Sequence, residues 1–270
     1  MSRIIRFIAA IFIAAFLFFG CTPEAITPSS IRKAGVLKVG IKYDVPGFGY
    51  LNKETMQYEG MEIDIAKLIA KELLGDESKV RLIPISTATR GPLLDNGDVD
   101  LVIATFTITE QRKTMYNFST PYYRDHIGIM VKKGSGIRTQ KDLTNKTIGV
   151  VQLSPTKDEL DAVLNVSFKQ YRTAAAVKVA LDAGEVDAFA IGCSILKGYT
   201  DDTTMIMPEK YSDQPLGVAT ALNNKSLARY VDGLINRWLK DGTIADLIDI
   251  NHVLNRHGEE HGQLSGDGGE

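Results

Sequence analysis

The chain has 270 residues, with 31 lysines and arginines against 33 aspartates and glutamates, a formal net charge of -2. That balance excludes a nucleic-acid partner gripped through its phosphates, which needs a basic excess. A hydrophobic fraction of 44% excludes wholesale disorder, and the length fits one large domain or two smaller ones.

Arg3 and Arg6 precede an apolar run over 7–19 that Gly20 and Cys21 close. A basic head and a short apolar stretch predict a signal peptide over 1–20, too short for a comfortable membrane span. The Gly-Cys ending is similar to a bacterial lipoprotein signal, which implies a lipidated Cys21 anchoring the chain to a membrane outside the cytoplasm. Phe18 departs from that pattern, where leucine is usual, so a plain secretory signal or an uncleaved anchor is the alternative. Residues 21–30, small and polar with two prolines, then read as the lipidated cysteine and a flexible tether. The other cysteine, Cys193, has no disulfide partner if Cys21 carries lipid, and reads as a small buried hydrophobe.

The folded body is expected from residue 31. A short helical turn over 31–34 ends at Gly35, and VLKVGI (36–41) alternates as a first strand. Lys42 and Asp44 follow at its carboxyl end, where open α/β sheets bind ligands. The stretch 58–74 carries a helical apolar face stopped by Gly75. A strand over 80–85, a short helix from Arg90 and a strand over 101–104 come next. Strands are then predicted over 127–131, 147–151, 168–171, 186–191, 203–207 and 216–222. Helices are predicted from Ser154, over 173–183, over 226–240 and from 243 to 254. Alternating strands and helices favour parallel sheet covered by helices. The tail over 255–270 reads as disordered. It contains HGEEH (257–261), formally a zinc-protease pattern, but its glycine breaks the helix that such a site requires.

One stretch concentrates chemistry: IATFTITEQRKTMYNFSTPYY, residues 103–123. Thr109 suits a helix N-cap and puts Arg112 in the first turn. Free backbone N–H groups, the hydroxyls of Thr105 and Thr107 and a guanidinium would converge, which suits a carboxylate. An ordinary cap with Arg112 in a surface ion pair is the other reading.

VGIKYDVPGFGY, YEGMEIDIAKLIAKEL, TRGPLLDNGDVDLVIATFTITEQRKTMYNFSTPYY and VDAFAIGCSIL together resemble the extracellular solute-binding proteins, family 3, of polar amino-acid ABC importers. The resemblance runs over about 36–254 and leans towards the glutamate/aspartate/glutamine branch. It implies an α/β fold of two lobes, the type II periplasmic-binding-protein fold, with two hinge strands and a ligand cleft. Lobe 1 would hold 31–121 plus 217–254, lobe 2 would hold 127–213, and the hinge would be 122–126 and 214–217. By resemblance, Arg112 pairs with an α-carboxylate, assisted by Thr105 and Thr107. Arg90 and Lys42 would reach a side-chain carboxylate, and Thr156 would close from the opposite lobe.

One position departs from the family. Where relatives carry an aspartate for the ligand's ammonium group, this chain has Gly192. An ammonium buried without an anionic partner is costly. Three readings stay open: an amino acid whose ammonium meets Asp44, carbonyls or water; a carboxylate or dicarboxylate with no amino group; or a sensor or interaction module. An ABC permease is the expected partner, with a monomeric chain, no cofactor and no metal. Catalysis is not expected, although some proteins of this fold are dehydratases of cyclic carboxylic acids, because Gly192 removes the obvious general acid.

Overall fold

The computed structural model describes residues 24–251 and Val253. The expected signal peptide, Cys21, the C-terminal tail and its HGEEH pattern lie outside the described residues. Helix α1 (Pro28–Ala34) starts within the expected tether. Thr27 and Ser30 exchange hydroxyl–amide hydrogen bonds in a capping box, Pro28 occupies the first turn, and Gly35 ends the helix at φ 72°. The Ile26 amide is also tied to Asn224 (2.8 Å), so the tether ends before the helix rather than at residue 30. The same Thr, Pro and Ser residues that read as linker composition serve here as caps.

Strand β1 (Leu37–Ile41) leads through a small antiparallel ribbon, β2 (Asp44–Val45), β3 (Gly49–Leu51) and β4 (Tyr58–Glu59), into helix α2 (Met61–Leu74). Next come β5 (Val80–Pro84), α3 (Arg90–Asp95), β6 (Leu101–Ile103), α4 (Glu110–Lys113) and β7 (Tyr116–Phe118). The chain then enters β8 (Tyr123–Lys132), a 3-10 turn (Gln140–Leu143), β9 (Thr147–Val151), α5 (Thr156–Asp161), β10 (Ser167–Tyr171) and α6 (Ala174–Ala183). It continues through β11 (Ala188–Gly192), α7 (Cys193–Lys197), β12 (Thr204–Ile206) and β13 (Tyr211–Leu216). The last elements are β14 (Ala219–Ala221), α8 (Lys225–Lys240) and α9 (Thr243–Ile250).

The strands make two principal sheets, which define two α/β lobes. The first runs β5-β1-β6-β14-β7 and the second β10-β9-β11-β8-β12, with β13 also paired to β8. Both are mixed: β1 pairs in parallel with β5 and β6, whereas β14, β7, β8, β12 and β13 pair antiparallel. The chain crosses between the lobes twice. The two crossing segments lie side by side, as β13 pairs with the start of β8 from Tyr211↔Ile127 to Leu216↔Tyr123. The single strand predicted over 216–222 is therefore split at Gly217. Its first residue belongs to the crossing pair and its end to the first sheet, and a Cβ at Gly217 would come 2.8 Å from Ile108 Cδ1.

Helix α2 buries Met61, Ile63, Ile65, Ala66, Ile69, Ala70 and Leu73 in the core of the first lobe, beside Leu227, Val231, Ile235 and Trp238 of α8. Its start depends on Gly60, which has φ 121° and whose missing Cβ would lie 2.2 Å from the Phe48 carbonyl oxygen. Both the conformation and the contact exclude a side chain. Gly60→Ala should therefore destabilise the protein by about 3 kcal/mol or more, read as a lower urea midpoint with unchanged slope. A midpoint within error of the parent would refute this account.

Candidate functional site

The carboxyl ends of β6, β9 and β11, the starts of α3 and α5, and the two crossing strands converge on a cavity between the lobes. It is lined by Thr87, Arg90, Thr105, Thr107, Asp125, Val151, Ser154, Pro155, Thr156, Ile191, Gly192, Ile195, Gln214 and Leu216. Of the residues read from the sequence, Arg90, Thr105, Thr107, Thr156 and Gly192 meet here. Both lobes and both crossing segments contribute residues to its wall.

Thr109 caps α4 as expected, its hydroxyl accepting from the Arg112 amide (3.2 Å). The Arg112 side chain is not among the cavity-lining residues. It donates from Nη1 to the Thr107 carbonyl (2.7 Å) and from Nη2 to the Leu153 carbonyl of the other lobe (3.0 Å). Arg112 thus bridges the cleft. Tyr199 makes a second bridge by donating its hydroxyl proton to the Asp44 carbonyl.

Arg90 is buried, 5% exposed, with its guanidinium 3.8 Å from the Phe106 ring centre. Arg112 lies over the same ring at 4.9 Å. The one hydrogen bond of the Arg90 side chain among the described residues is a long one, 3.4 Å to the Ala104 carbonyl. Neither arginine forms an ion pair with a carboxylate among the described residues. Burial, then the Arg112 charge, push the Arg90 pKa well below the usual arginine range, and burial brings Arg112 down to about 10. Guanidiniums stay charged in proteins, so these shifts register unfavourable charge that an incoming anion would relieve.

Lys42 and Asp44 stand elsewhere than expected. They form a buried ion pair at 2.7 Å, beside the cavity but not lining it. The contact is charge to charge, and neither Asp44 oxygen has a hydrogen bond among the described residues. A buried lysine needs a nearby anion, and the residue two positions on supplies it. Asp44 is therefore paired with Lys42 and does not line the cavity.

Three site residues escaped the sequence reading. Glu62, fully buried at the start of α2, accepts from the Thr105 amide (2.6 Å) and the Tyr122 hydroxyl (2.5 Å), while its Oε2 has no hydrogen-bond partner among the described residues. Burial raises its pKa to about 7 against the lowering effects of those hydrogen bonds, Lys42 and Arg90. It also holds Thr105 at φ 43°, a costly conformation for a threonine, in the cavity wall. Gln214 of β13 accepts from the Thr107 hydroxyl (3.1 Å). Asp125 of β8, 6% exposed, reaches the cavity from the crossing strand. An acidic residue on the otherwise apolar MEIDIA face was the available signal for Glu62. Asp125 gave none, since RDH reads as an exposed polar segment.

Residues 37–250 match the bacterial extracellular solute-binding proteins, family 3. The chain belongs to that family. It is 37% identical over 207 residues to the glutamine-binding protein of Geobacillus stearothermophilus, covering 75% of this chain and 79% of that one. It is 32% identical over 220 residues to an ABC transporter glutamine-binding protein of Bacillus subtilis, covering 80% and 81%. Among solved structures, it superimposes with a TM-score of 0.76 and 28% identity on an ancestral amino acid-binding protein, a precursor of cyclohexadienyl dehydratase. That match covers 83% of this chain and 98% of the other. The family-3 solute-binding protein thus has its cavity where the type II fold places a cleft, between lobes joined by two strands.

Proposed function

We propose that this solute-binding protein captures a small polar amino acid, of the glutamine or glutamate class, outside the cytoplasm and delivers it to an ABC permease. The observation that carries the reading is a pair of guanidiniums with no carboxylate partner among the described residues, Arg90 buried and lining the interlobe cavity and Arg112 half-buried and bridging it. Two such charges are strongly unfavourable alone and favour a ligand carboxylate, which a guanidinium holds through paired N–H donors. Thr105, Thr107 and Gln214 add neutral polar groups, as a small polar side chain needs. The relatives named for glutamine and for ABC transport support the same assignment. Capture would close the lobes through the paired crossing strands, giving a permease a shape to distinguish. An anchor through Cys21 would hold the protein at the membrane.

The glutamine and glutamate readings separate by calorimetric titration. L-glutamine, L-glutamate and L-aspartate should be run beside succinate and 2-oxoglutarate. Micromolar or tighter binding of one of the amino acids is expected. Binding of the oxo- or dicarboxylates alone would replace the amino-acid assignment by a dicarboxylate one, and heat from none would remove the capture function.

A further inference from the structure

The family aspartate missing at position 192 has a spatial substitute. An ideal Cβ built on Gly192 would lie 2.4 Å from Asp125 Oδ2. The carboxylate of the crossing strand therefore fills the space into which a side chain at 192 would grow. Gly192 itself has φ -51° and ψ 135°, a conformation open to any L-residue. Backbone geometry does not demand glycine there; a side chain at 192 would instead have to displace the Asp125 carboxylate.

We infer that Asp125 is the ammonium-binding carboxylate of this protein, moved from the end of β11 to the crossing strand β8, and that the ligand is accordingly an α-amino acid. This rests on the solute-capture reading above. Asp125 lines the same cavity as Arg90 and Thr107. Oδ1 accepts the His126 amide (2.8 Å), and Oδ2 accepts the Ser194 amide (3.1 Å) and hydroxyl (2.5 Å). A carboxylate offers about four acceptor sites, so these three donors orient it and leave capacity for a further one. All three are neutral, and no Lys, Arg or His nitrogen lies within ion-pair distance of Asp125 among the described residues. A buried carboxylate with only neutral donors is in the same condition as the buried Arg90, with the opposite sign. One cavity thus presents uncompensated positive and negative charge together, and an α-amino acid zwitterion answers both. A dicarboxylate would satisfy the guanidiniums and be repelled by Asp125. Because Asp125 sits on a crossing strand, its contact with ligand would also report directly to the segment about which the lobes turn.

The test pairs each amino acid with the same molecule lacking its amino group: L-glutamine with glutaramate, and L-glutamate with glutarate. The parent protein should bind one amino acid at least about 100-fold more tightly than its partner compound. Asp125→Asn keeps an acceptor for Ser194 and should lose about 100-fold for the amino acid while changing the deaminated compound less than threefold. Gly192→Asp alone should weaken amino-acid binding, because it crowds two carboxylates together. The double variant Asp125→Ala with Gly192→Asp should recover most of the affinity that Asp125→Ala loses, and melting curves report whether each variant folds. Equal losses for both members of a pair in Asp125→Asn, or no recovery in a folded double variant, would overturn the role of Asp125 and leave solute capture standing. Preference of the parent for the deaminated compounds would do the same. Binding of none of the four compounds by the parent would overturn both.

Discussion

Replacing Arg90 with methionine should remove nearly all affinity for a carboxylate ligand and, in the same variant, raise the melting temperature of the unliganded protein. The two effects share one cause. Among the described residues, the buried Arg90 has no ion pair and only a long bond to the Ala104 carbonyl. A buried charge in that condition costs several kcal/mol, and apolar replacement of such groups is often stabilising by about 1–4 kcal/mol. The contact with Phe106 offsets part of the cost, about 0.5–2 kcal/mol, and methionine retains packing against that ring. For a chain of this size each kcal/mol moves the melting temperature by about 2–4 °C, so a rise of several degrees is expected. Loss of a buried cation that holds a ligand carboxylate should cost about 2–5 kcal/mol of binding, a factor of roughly 30 to a few thousand. The measurement is a melting curve and a calorimetric titration at pH 6. A lower melting temperature with unchanged affinity would show that Arg90 serves the fold and not the site.

Glu62→Gln should flatten the dependence of stability on pH between 4.5 and 7. In the fold, burial lifts the Glu62 pKa from the ordinary 4.5 to about 7. The folded state therefore holds this proton more tightly than the unfolded state does. The stability it contributes is complete below 4.5 and is lost as pH rises through 7. A difference of that size is worth about 3 kcal/mol between the two limits, and the group is fully buried, so solvent screening does not reduce it. Glutamine does not titrate, and its carbonyl keeps an acceptor for the Thr105 amide and the Tyr122 hydroxyl. Asp100 and Asp125 are also shifted upward by burial, but they are common to both proteins and cancel in the difference. Urea unfolding of both proteins at pH 5 and pH 8 measures the effect. The parent should lose about 2.5 kcal/mol more than the variant across that interval, and parallel losses would rule out Glu62 as the titrating group.

Local chemistry was legible where a single turn of chain decides it. The Thr109 cap on Arg112, the Gly75 stop of α2 and the β-branched strand ending at Ile41 depend on neighbours a few residues away. The resemblance carried by ATFTITEQR and NFSTPYY located one wall of the cavity, with Arg90, Thr105 and Thr107 meeting Thr156 and Gly192 from across the cleft. What was not legible involves pairs far apart in the chain. Lys42 and Arg90 look alike as letters, but one is neutralised by Asp44 and the other is left exposed to the cavity, a difference made by packing. The bond of Arg112 to Leu153 depends on how the lobes meet. The start of α1 at Pro28 was missed for the opposite reason, because capping residues and linker residues are the same amino acids.

The sequence by itself determined that this chain is an alternating α/β protein of the family-3 solute-binding type, and that a threonine-capped turn carrying Arg112 follows its third main strand. Those properties follow from periodicity and from motifs continuous in the chain. Only the tertiary structure decided which charges remain unpaired. It also decided that the gap at Gly192 is filled by a carboxylate from Asp125, 67 positions earlier in the chain. A charge balance in a buried site is a property of what meets in space, and no spacing along the chain records it.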